Sequence, residues 1–299
     1  MSDLLIAGGR RDTNLPWLAD IAARIGLPCR TLMIDETHSP AFSWNLEDGV
    51  AQLDGAALDC RACFIRYDVF TALQTGRQEL LAGASAWYAA VDAWCAAADV
   101  FTLNAEIHPQ TASKPWMLGR ARAAGLEVPP TLVSNVEAEI AKFRPADRSI
   151  AKPVAGGSYV VDAPQAIAGT DWLDGTAPHP AIVQPKLAYP ERRIYRAGPA
   201  FFVFDIASET LDSRLDPKMR ITELPATTLP AGLLDRLREM TDDLCCDFCA
   251  IDMKTDPLGG DLVFLELNTG PMLRAYDEVA GGRMGEALLR YLMAGGGPT

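Results

Sequence analysis

The sequence predicts an α/β protein that opens with a parallel β-α-β unit and continues into antiparallel hairpins. Three observations carry this. Short apolar runs at 4–8 and 29–35 flank one amphipathic helical stretch, the pattern of a crossover between parallel strands. Further along, Gly-Gly and Gly-Pro pairs divide the apolar runs into neighbouring strands. The chain has 299 residues, too many for one typical small domain.

The elements follow in order. LLIAG (4–8) ends at Gly8 and Gly9 and reads as a buried strand. NLPWLADIAARIG puts Trp17, Leu18, Ile21 and Ile25 on one helix face. Asn14 is its expected cap, Pro16 sits in its first turn and Gly26 ends it. CRTLMID (29–35) is the next strand. CFIRYDVF (63–70) is another, ending in polar Arg66, Tyr67 and Asp68. A helical stretch over 78–98 and the run FTLN (101–104) close a first domain. Ser113 is then the expected cap of a helix opened by Lys114 and Pro115 and ended by Gly125. VPPTLV is extended. RSIAKPVAGGSYVV (148–161) reads as strand, Gly-rich loop, strand, and AIVQPKL (181–187) as a strand. RRIYRAG and PAFFVFDIAS form a hairpin around Gly198-Pro199. AGLLDRLREMTDDL (231–244) is an amphipathic helix, AIDMKTDPLGGDLVFLELN (250–268) a second hairpin, and a last helix covers 284–293. The expected domains are 1–105, 106–183 and 184–299.

Charge and composition exclude several function classes. Lys and Arg number 27 against 39 Asp and Glu, a net charge of −12. Such a surface argues against nonspecific partnership with nucleic acid or an anionic membrane, while leaving room for a local basic pocket that takes a small anion. No apolar run reaches the length of a membrane span, and MSDLLIAGG has neither a basic leader nor a long apolar core, so no signal peptide is expected. Seven cysteines, an odd number, point to reduced thiols and a cytoplasmic address. The CxxC pairs Cys60/Cys63 and Cys246/Cys249 could supply four zinc ligands, but both sit in apolar runs, where cysteine acts as a small hydrophobe.

The chemistry concentrates in the second hairpin. Glu266 and Asn268 are two apart and project from one face of a strand, and Asp252 lies on the facing arm within cross-strand reach. Three hard oxygen donors on one face suit magnesium, and a carboxylate inside the apolar run VFLELN needs a cation. The plainer alternative is an outward polar row on a half-exposed hairpin. Lys114 opens a helix, and Lys152 sits inside the apolar strand IAKPV, just before Gly156, Gly157 and Ser158. A buried ammonium calls for a counter-charge, which a polyphosphate supplies, and glycine lets backbone amides approach phosphate oxygens. In RRIYR, alternation places Arg193 and Tyr195 on one face and Arg192, Ile194 and Arg196 on the other, ordinarily a solvated basic face. Ligands of parallel sheets gather beyond the strands' carboxyl ends, which makes Arg66 and Tyr67 candidates for a ligand-facing edge. The three histidines are scattered, and no Ser-His-Asp set or G-x-S-x-G motif is present.

In this order, Lys114, Lys152 with its Gly-rich loop, Gln184-Pro185-Lys186-Leu187, Glu191 with Arg193, Asp252 and Glu266-x-Asn268 resemble the ATP-grasp carboxylate–amine ligases over nearly the whole chain. The resemblance implies an α+β ATP-grasp fold behind an N-terminal βαβ domain, with ATP held between two halves. It assigns Lys114, Lys152, Gly156, Gly157 and Ser158 to the phosphates. Gln184, Lys186 and Leu187 go to the strand whose backbone hydrogen-bonds the adenine, and Glu191 to the ribose. Asp252, Glu266 and Asn268 take Mg2+, or Mn2+ in its place. It makes Arg193 and Lys152 the catalytic cations, Arg193 beside an acyl phosphate.

Two branches look closest. KPWMLGRARAAGLEVPPTLVSN is similar to a segment of the graspetide (microviridin-type) peptide macrocyclases. Asp212-Ser213-Arg214 resembles their Asp-Trp-Arg element, which contacts the core peptide, and FIRYDVF, with Arg66 and Tyr67, sits where they carry a Trp-Tyr-Arg strand. Glu191-Arg192-Arg193 and Gly198 echo the ribosomal-protein glutamate ligases. After Asn268 the chain reads TGPMLRAYDE, where the macrocyclases have Asn-x-x-Gly-Gln and an aromatic residue, and this leaves the acceptor open. The implied activity is a Mg–ATP-dependent ligase that activates a carboxylate and joins it to an amine or hydroxyl on a peptide. A small-molecule or amino-acid ligase and a non-catalytic ATP-binding protein are the alternatives. Relatives of this kind are commonly dimers or tetramers, so a homo-oligomer is expected.

Overall fold

A computed structural model describes residues 4–143, 148–155 and 159–297. The chain divides into two compact units. One is Met1–Ala105 with Arg196–Ala200 and Gly270–Thr299, and the other is Glu106–Tyr195 with Phe201–Thr269.

In the first unit β1 (Leu4–Gly9), α1 (Asn14–Arg24) and β2 (Cys29–Ile34) form the expected βαβ unit, with β1 and β2 parallel. A small antiparallel sheet follows, made of β3 (Phe42–Trp44), β4 (Ala51–Leu53) and β5 (Ala56–Ala57). No strands were expected there. The signal was Asp54-Gly55, both in the left-handed region at φ 53° and 76°, as a two-residue hairpin turn between right-twisted strands requires. Then β6 (Ala62–Ile65) pairs parallel with the other side of β1. Helices α2 (Phe70–Thr75) and α3 (Leu80–Ala97) lead to β7 (Phe101–Thr102), giving the order β2-β1-β6-β7.

Two local expectations are corrected. The strand read over 63–70 stops at Ile65. Asp68 turns the chain into α2, its Oδ1 accepting the amides of Phe70 at 2.9 Å and Thr71 at 3.2 Å. Asn14 is also not the cap of α1. Asp12 Oδ1 accepts the Asn14 amide at 2.9 Å, while Asn14 Oδ1 accepts those of Leu273 (2.8 Å) and Arg274 (3.0 Å). A buried asparagine that has both a donor and an acceptor end can tie two segments together, which a simple cap does not.

In the second unit α4 (Lys114–Ala123) begins where Ser113 predicts, although the Ser113 hydroxyl makes no capping bond. Gly125 ends the helix at φ 74°. Next come β8 (Leu132–Val136), α5 (Glu137–Phe143), β9 (Ser149–Pro153), β10 (Val161–Asp162), α6 (Ala163–Ala168) and β11 (Thr176–Pro185). The strands form an antiparallel sheet in the order β10-β9-β11-β8. Ile182 lies opposite Lys152 and Val183 opposite Ala151. Lys152 and Gln184 therefore share one face of this sheet, and Ala151 and Val183 the other.

The chain continues through β12 (Ala188–Ala197), β13 (Ala200–Ala207), β14 (Arg220–Leu224), α7 (Leu233–Asp243), β15 (Phe248–Thr255) and β16 (Leu262–Asn268). These strands form a second sheet, β14-β13-β12-β15-β16. One face buries Ile194, Ile251, Met253, Phe264 and Leu267 against Met117, Leu118 and Ala121 of α4 and Leu233, Leu237 and Met240 of α7. The other face is therefore left for the alternate residues of the same strands.

Two last helices return to the first unit. Helix α8 (Arg274–Val279) precedes α9 (Arg283–Met293), which packs on α1, β6 and β7. Gly285 allows the close approach: a Cβ there would lie 2.4 Å from Ile21 Cδ1 and 2.6 Å from Asp277 Oδ2.

The cysteines bear out the apolar reading. Cys60 and Cys63 are buried in the first unit and Cys246 and Cys249 in the core of the second, none of them in a disulfide. Among the described residues no three His, Cys, Asp or Glu side chains are grouped to hold a metal. No helix among them is long and apolar enough to cross a membrane.

Candidate active site

Asp252 of β15 stands directly opposite Glu266 of β16, and Ala250 opposite Asn268. The register then slips: Met253 faces Phe264, so Leu265 is an extra residue on β16. This bulge matters. Strict alternation would put Phe264 on the face of Glu266, yet Phe264 is fully buried with Met253. The inserted residue lets Phe264 and Leu267 face the core while Glu266 and Asn268 face away beside Asp252.

Two carboxylates directly across a strand pair repel each other, so this face needs cations. The fold supplies them. Arg193 of β12 reaches Asp252 with Nη1 at 3.2 Å from Oδ1, and its Nε donates to Tyr195 Oη at 3.1 Å. Lys114 Nζ of α4 is 3.9 Å from Glu266. Lys254 Nζ is 3.3 Å from Glu191, donates to the Leu211 carbonyl at 3.3 Å and sits 4.3 Å from the Tyr189 ring centroid. Lys152 feels the charges of Glu266, Lys114, Asp252 and Lys254. It is only 7 % exposed, and among the described residues its ammonium has no ion-pair or hydrogen-bond partner.

Burial dominates the electrostatics here. It raises the Asp252 carboxyl to about 7, against the pull of Arg193. It also raises Glu191, opposed by Lys254, and lowers Lys152, opposed by Glu266 and Asp252. Each shift disfavours the charged form in a site short of solvent.

The structure thus brings Lys114, Lys152, Glu191, Arg193, Asp252 and Glu266 into one charged cluster, with Asn268 in register on the same edge. Lys254 was missed. Its signal was its position: it lies two residues after Asp252 on the same strand, hence on the same face.

Gln184 is buried on the Lys152 face, its Nε2 donating to Thr131 Oγ1 at 2.9 Å. The Lys186 side chain pairs with Asp162, and its amide donates to the Arg148 carbonyl at 2.9 Å, so neither group faces the acids. Leu187 follows in the connection between β11 and β12. Gly156, Gly157 and Ser158 lie outside the described residues. A cavity of about 360 Å³ lies on the opposite face of this sheet, lined by Ala151, Ile167, Trp172 and Val183, and is no part of the charged cluster.

Asp212 and Arg214 form an ion pair, with Nε at 2.8 Å from Oδ1. Asp212 Oδ2 also accepts the Val160 amide at 3.3 Å, and Arg214 lies over the Tyr159 ring at 5.2 Å. Burial pushes the Asp212 carboxyl up, but the hydrogen bond and charge of Arg214 outweigh it and bring it below its ordinary value. Both residues act electrostatically on the cluster: Arg214 on Asp252, and Asp212 on Glu191.

Arg66 and Tyr67 belong to the first unit. Arg66 Nε donates to Asp12 at 2.6 Å and its Nη1 to the Pro271 carbonyl at 2.9 Å. Tyr67 donates to the Leu81 carbonyl at 3.2 Å, and its ring meets Tyr88 edge-on at 6.0 Å.

No protein-family model matches this sequence, and no curated protein matches it. Solved structures do. The ATP-grasp ligase PsnB, complexed with minimal precursor, Mg and ADP, superposes with a TM-score of 0.72 at 21 % identity, covering 97 % of this chain and 98 % of that one. The macrocyclase MdnC of Microcystis aeruginosa MRC, bound with precursor peptide MdnA, gives 0.69 at 19 % identity over 96 % and 98 %. A RiPP-associated ATP-grasp ligase of Chryseobacterium gregarium, in complex with ADP and a leader and core peptide, gives 0.69 at 18 % over 98 % and 96 %. The chain has the ATP-grasp fold, as the resemblance implied.

Proposed function

We propose that this protein is a Mg–ATP-dependent ligase that activates a carboxylate as an acyl phosphate and joins it to an amine or hydroxyl of a peptide. One observation carries the reading: two carboxylates in direct cross-strand register are faced by Lys114, Lys152 and Arg193, and Lys152 is buried without a partner among the described residues. A polyphosphate with a divalent cation balances that arrangement.

The residues fit both groups. Asp252 Oδ1 is buried and accepts no hydrogen bond among the described residues despite the nearby Arg193, and the donor set of two carboxylates and an amide is all oxygen, as magnesium prefers. Asp252, Glu266 and Asn268 would hold the metal, which when bound supplies charge neutralisation on phosphate oxygens. Lys114 and Lys152 bind and orient the phosphates, with Gly156, Gly157 and Ser158 proposed beside them. Gln184, Lys186 and Leu187 form the base-binding connection, and Glu191 faces the sugar side. Arg193, held by Asp252 and Tyr195, keeps its guanidinium ready for negative charge that develops on the activated carboxylate. Burial of the cluster excludes water, which would otherwise hydrolyse that intermediate.

A peptide acceptor is supported by neighbours of the same fold whose complexes hold precursor peptides. Arg66, Tyr67, Asp212 and Arg214 are proposed as peptide-facing. Of these, Tyr67 (38 % exposed) and the Arg214 side chain (54 %) offer the most surface. Domains at 1–105, 106–183 and 184–299, a cytoplasmic location and a homo-oligomer complete the proposal.

The test is ADP release and peptide mass after incubation with Mg–ATP and acidic peptides. Loss of one water per bond formed, absent in Asp252→Asn, supports the reading. ATP binding without turnover on any carboxylate would instead favour a nucleotide-binding module.

A further inference from the structure

We propose that Thr131 is a positioning residue that makes the site select adenine over guanine, by fixing which end of the Gln184 amide faces the nucleotide. This rests on the nucleotide-dependent reading above and goes beyond it.

The argument is a chain of hydrogen bonds with one allowed direction. Thr131 Oγ1 lies 2.8 Å from the Pro129 carbonyl oxygen, which can only accept. The hydroxyl has one proton, given to Pro129, so toward any other neighbour Thr131 is an acceptor. Gln184 approaches that oxygen at 2.9 Å, and the end that approaches must be its NH2. Turned over, the amide would set two acceptors against each other. The Gln184 orientation therefore follows from chemistry and not from the appearance of a nearly symmetric group.

The consequence lies at the other end of the amide. Gln184 Oε1 is left as a pure acceptor. The residue is 1 % exposed, and this oxygen has no hydrogen-bond partner among the described residues. It stands on the same sheet face as Lys152, two residues along β11 from Ile182, the residue opposite that lysine. A buried acceptor beside a phosphate-binding lysine asks its ligand for a donor. Adenine carries an amino group at the ring position where guanine carries a carbonyl. Guanine would place its oxygen against Oε1. Rotating the amide to relieve this would break the Thr131 bond and bring Oε1 against Oγ1. Thr131 thus penalises both ways of admitting guanine.

The experiment is calorimetric titration of the full chain with Mg·ADP and Mg·GDP, in wild type, Thr131→Val, Thr131→Ala and Thr131→Ser, with folding checked by circular dichroism. Wild type is expected to favour ADP by about tenfold or more, because a site built around one polar group rejects the analogue that leaves it unpaired. Thr131→Val and Thr131→Ala free the amide to turn and bring the ratio towards unity, mainly through tighter GDP binding. Thr131→Ser keeps the hydroxyl and the wild-type ratio. The proposal is overturned if Val and Ala retain that ratio, or if Ser loses it as they do. Wild type binding neither nucleotide overturns the nucleotide reading as well, and so is distinguishable from failure of the Thr131 assignment alone.

Discussion

Asp252 shows at the scale of one residue how a site is stored in a fold. Burial raises its carboxyl to about 7, while the unfolded chain has the ordinary value of about 4. Between those values the folded state holds a proton that the unfolded state has lost, so stability falls as pH rises through that window. Asp252→Asn removes this dependence. Urea midpoints at pH 5 and pH 8 should differ less for the variant than for wild type, and equal differences would contradict the assignment. Lys254 gives a second prediction. Its ammonium compensates a buried Glu191, so Lys254→Met should cost about 3 kcal/mol by leaving that carboxylate unpaired. Adding Glu191→Gln should recover most of the loss, because both partners are then gone. A double variant no more stable than the single one would show that the pair is not what holds this corner.

The elements explain which parts of the sequence were legible. Alternation and helical periodicity located the βαβ opening, the helix at Lys114, both hairpins and the last helix, because each buries one face and its pattern records which. The common strand face of Asp252, Glu266 and Asn268 was legible for the same reason. The bulge at Leu265 was invisible, since VFLELN alternates smoothly and only the register with β15 shows the extra residue. The small β3–β5 sheet and the role of Asn14 were also missed. Short strands carry little pattern, and Asn14 is set by partners 259 and 260 residues away in sequence. Helix α9 carries a further prediction. Asp277 accepts the amides of Met284 (2.9 Å) and Gly285 (3.0 Å) and the indole of Trp17 (2.9 Å). Asp277→Ala orphans two buried backbone donors and the half-buried Trp17 indole and should cost about 2–4 kcal/mol in urea unfolding. A loss under half a kcal/mol would mean that water replaces the carboxylate.

For the whole molecule, the acidic charge of −12 and the cationic cluster are separate facts with separate consequences. The first argues against nonspecific attraction of polyanions such as nucleic acid, and the second gathers positive side chains at the proposed polyphosphate site. The central claim is that a divalent cation and a triphosphate share the face built by Asp252, Glu266, Lys114, Lys152 and Arg193. Titrating ATP into the protein, with and without Mg2+, tests it most directly when wild type and Glu266→Gln are compared. The account predicts saturable binding that needs Mg2+ and weakens about tenfold or more when Glu266 loses its charge. Absence of saturable Mg·ATP binding to wild type, or equal affinity in Glu266→Gln, would contradict it.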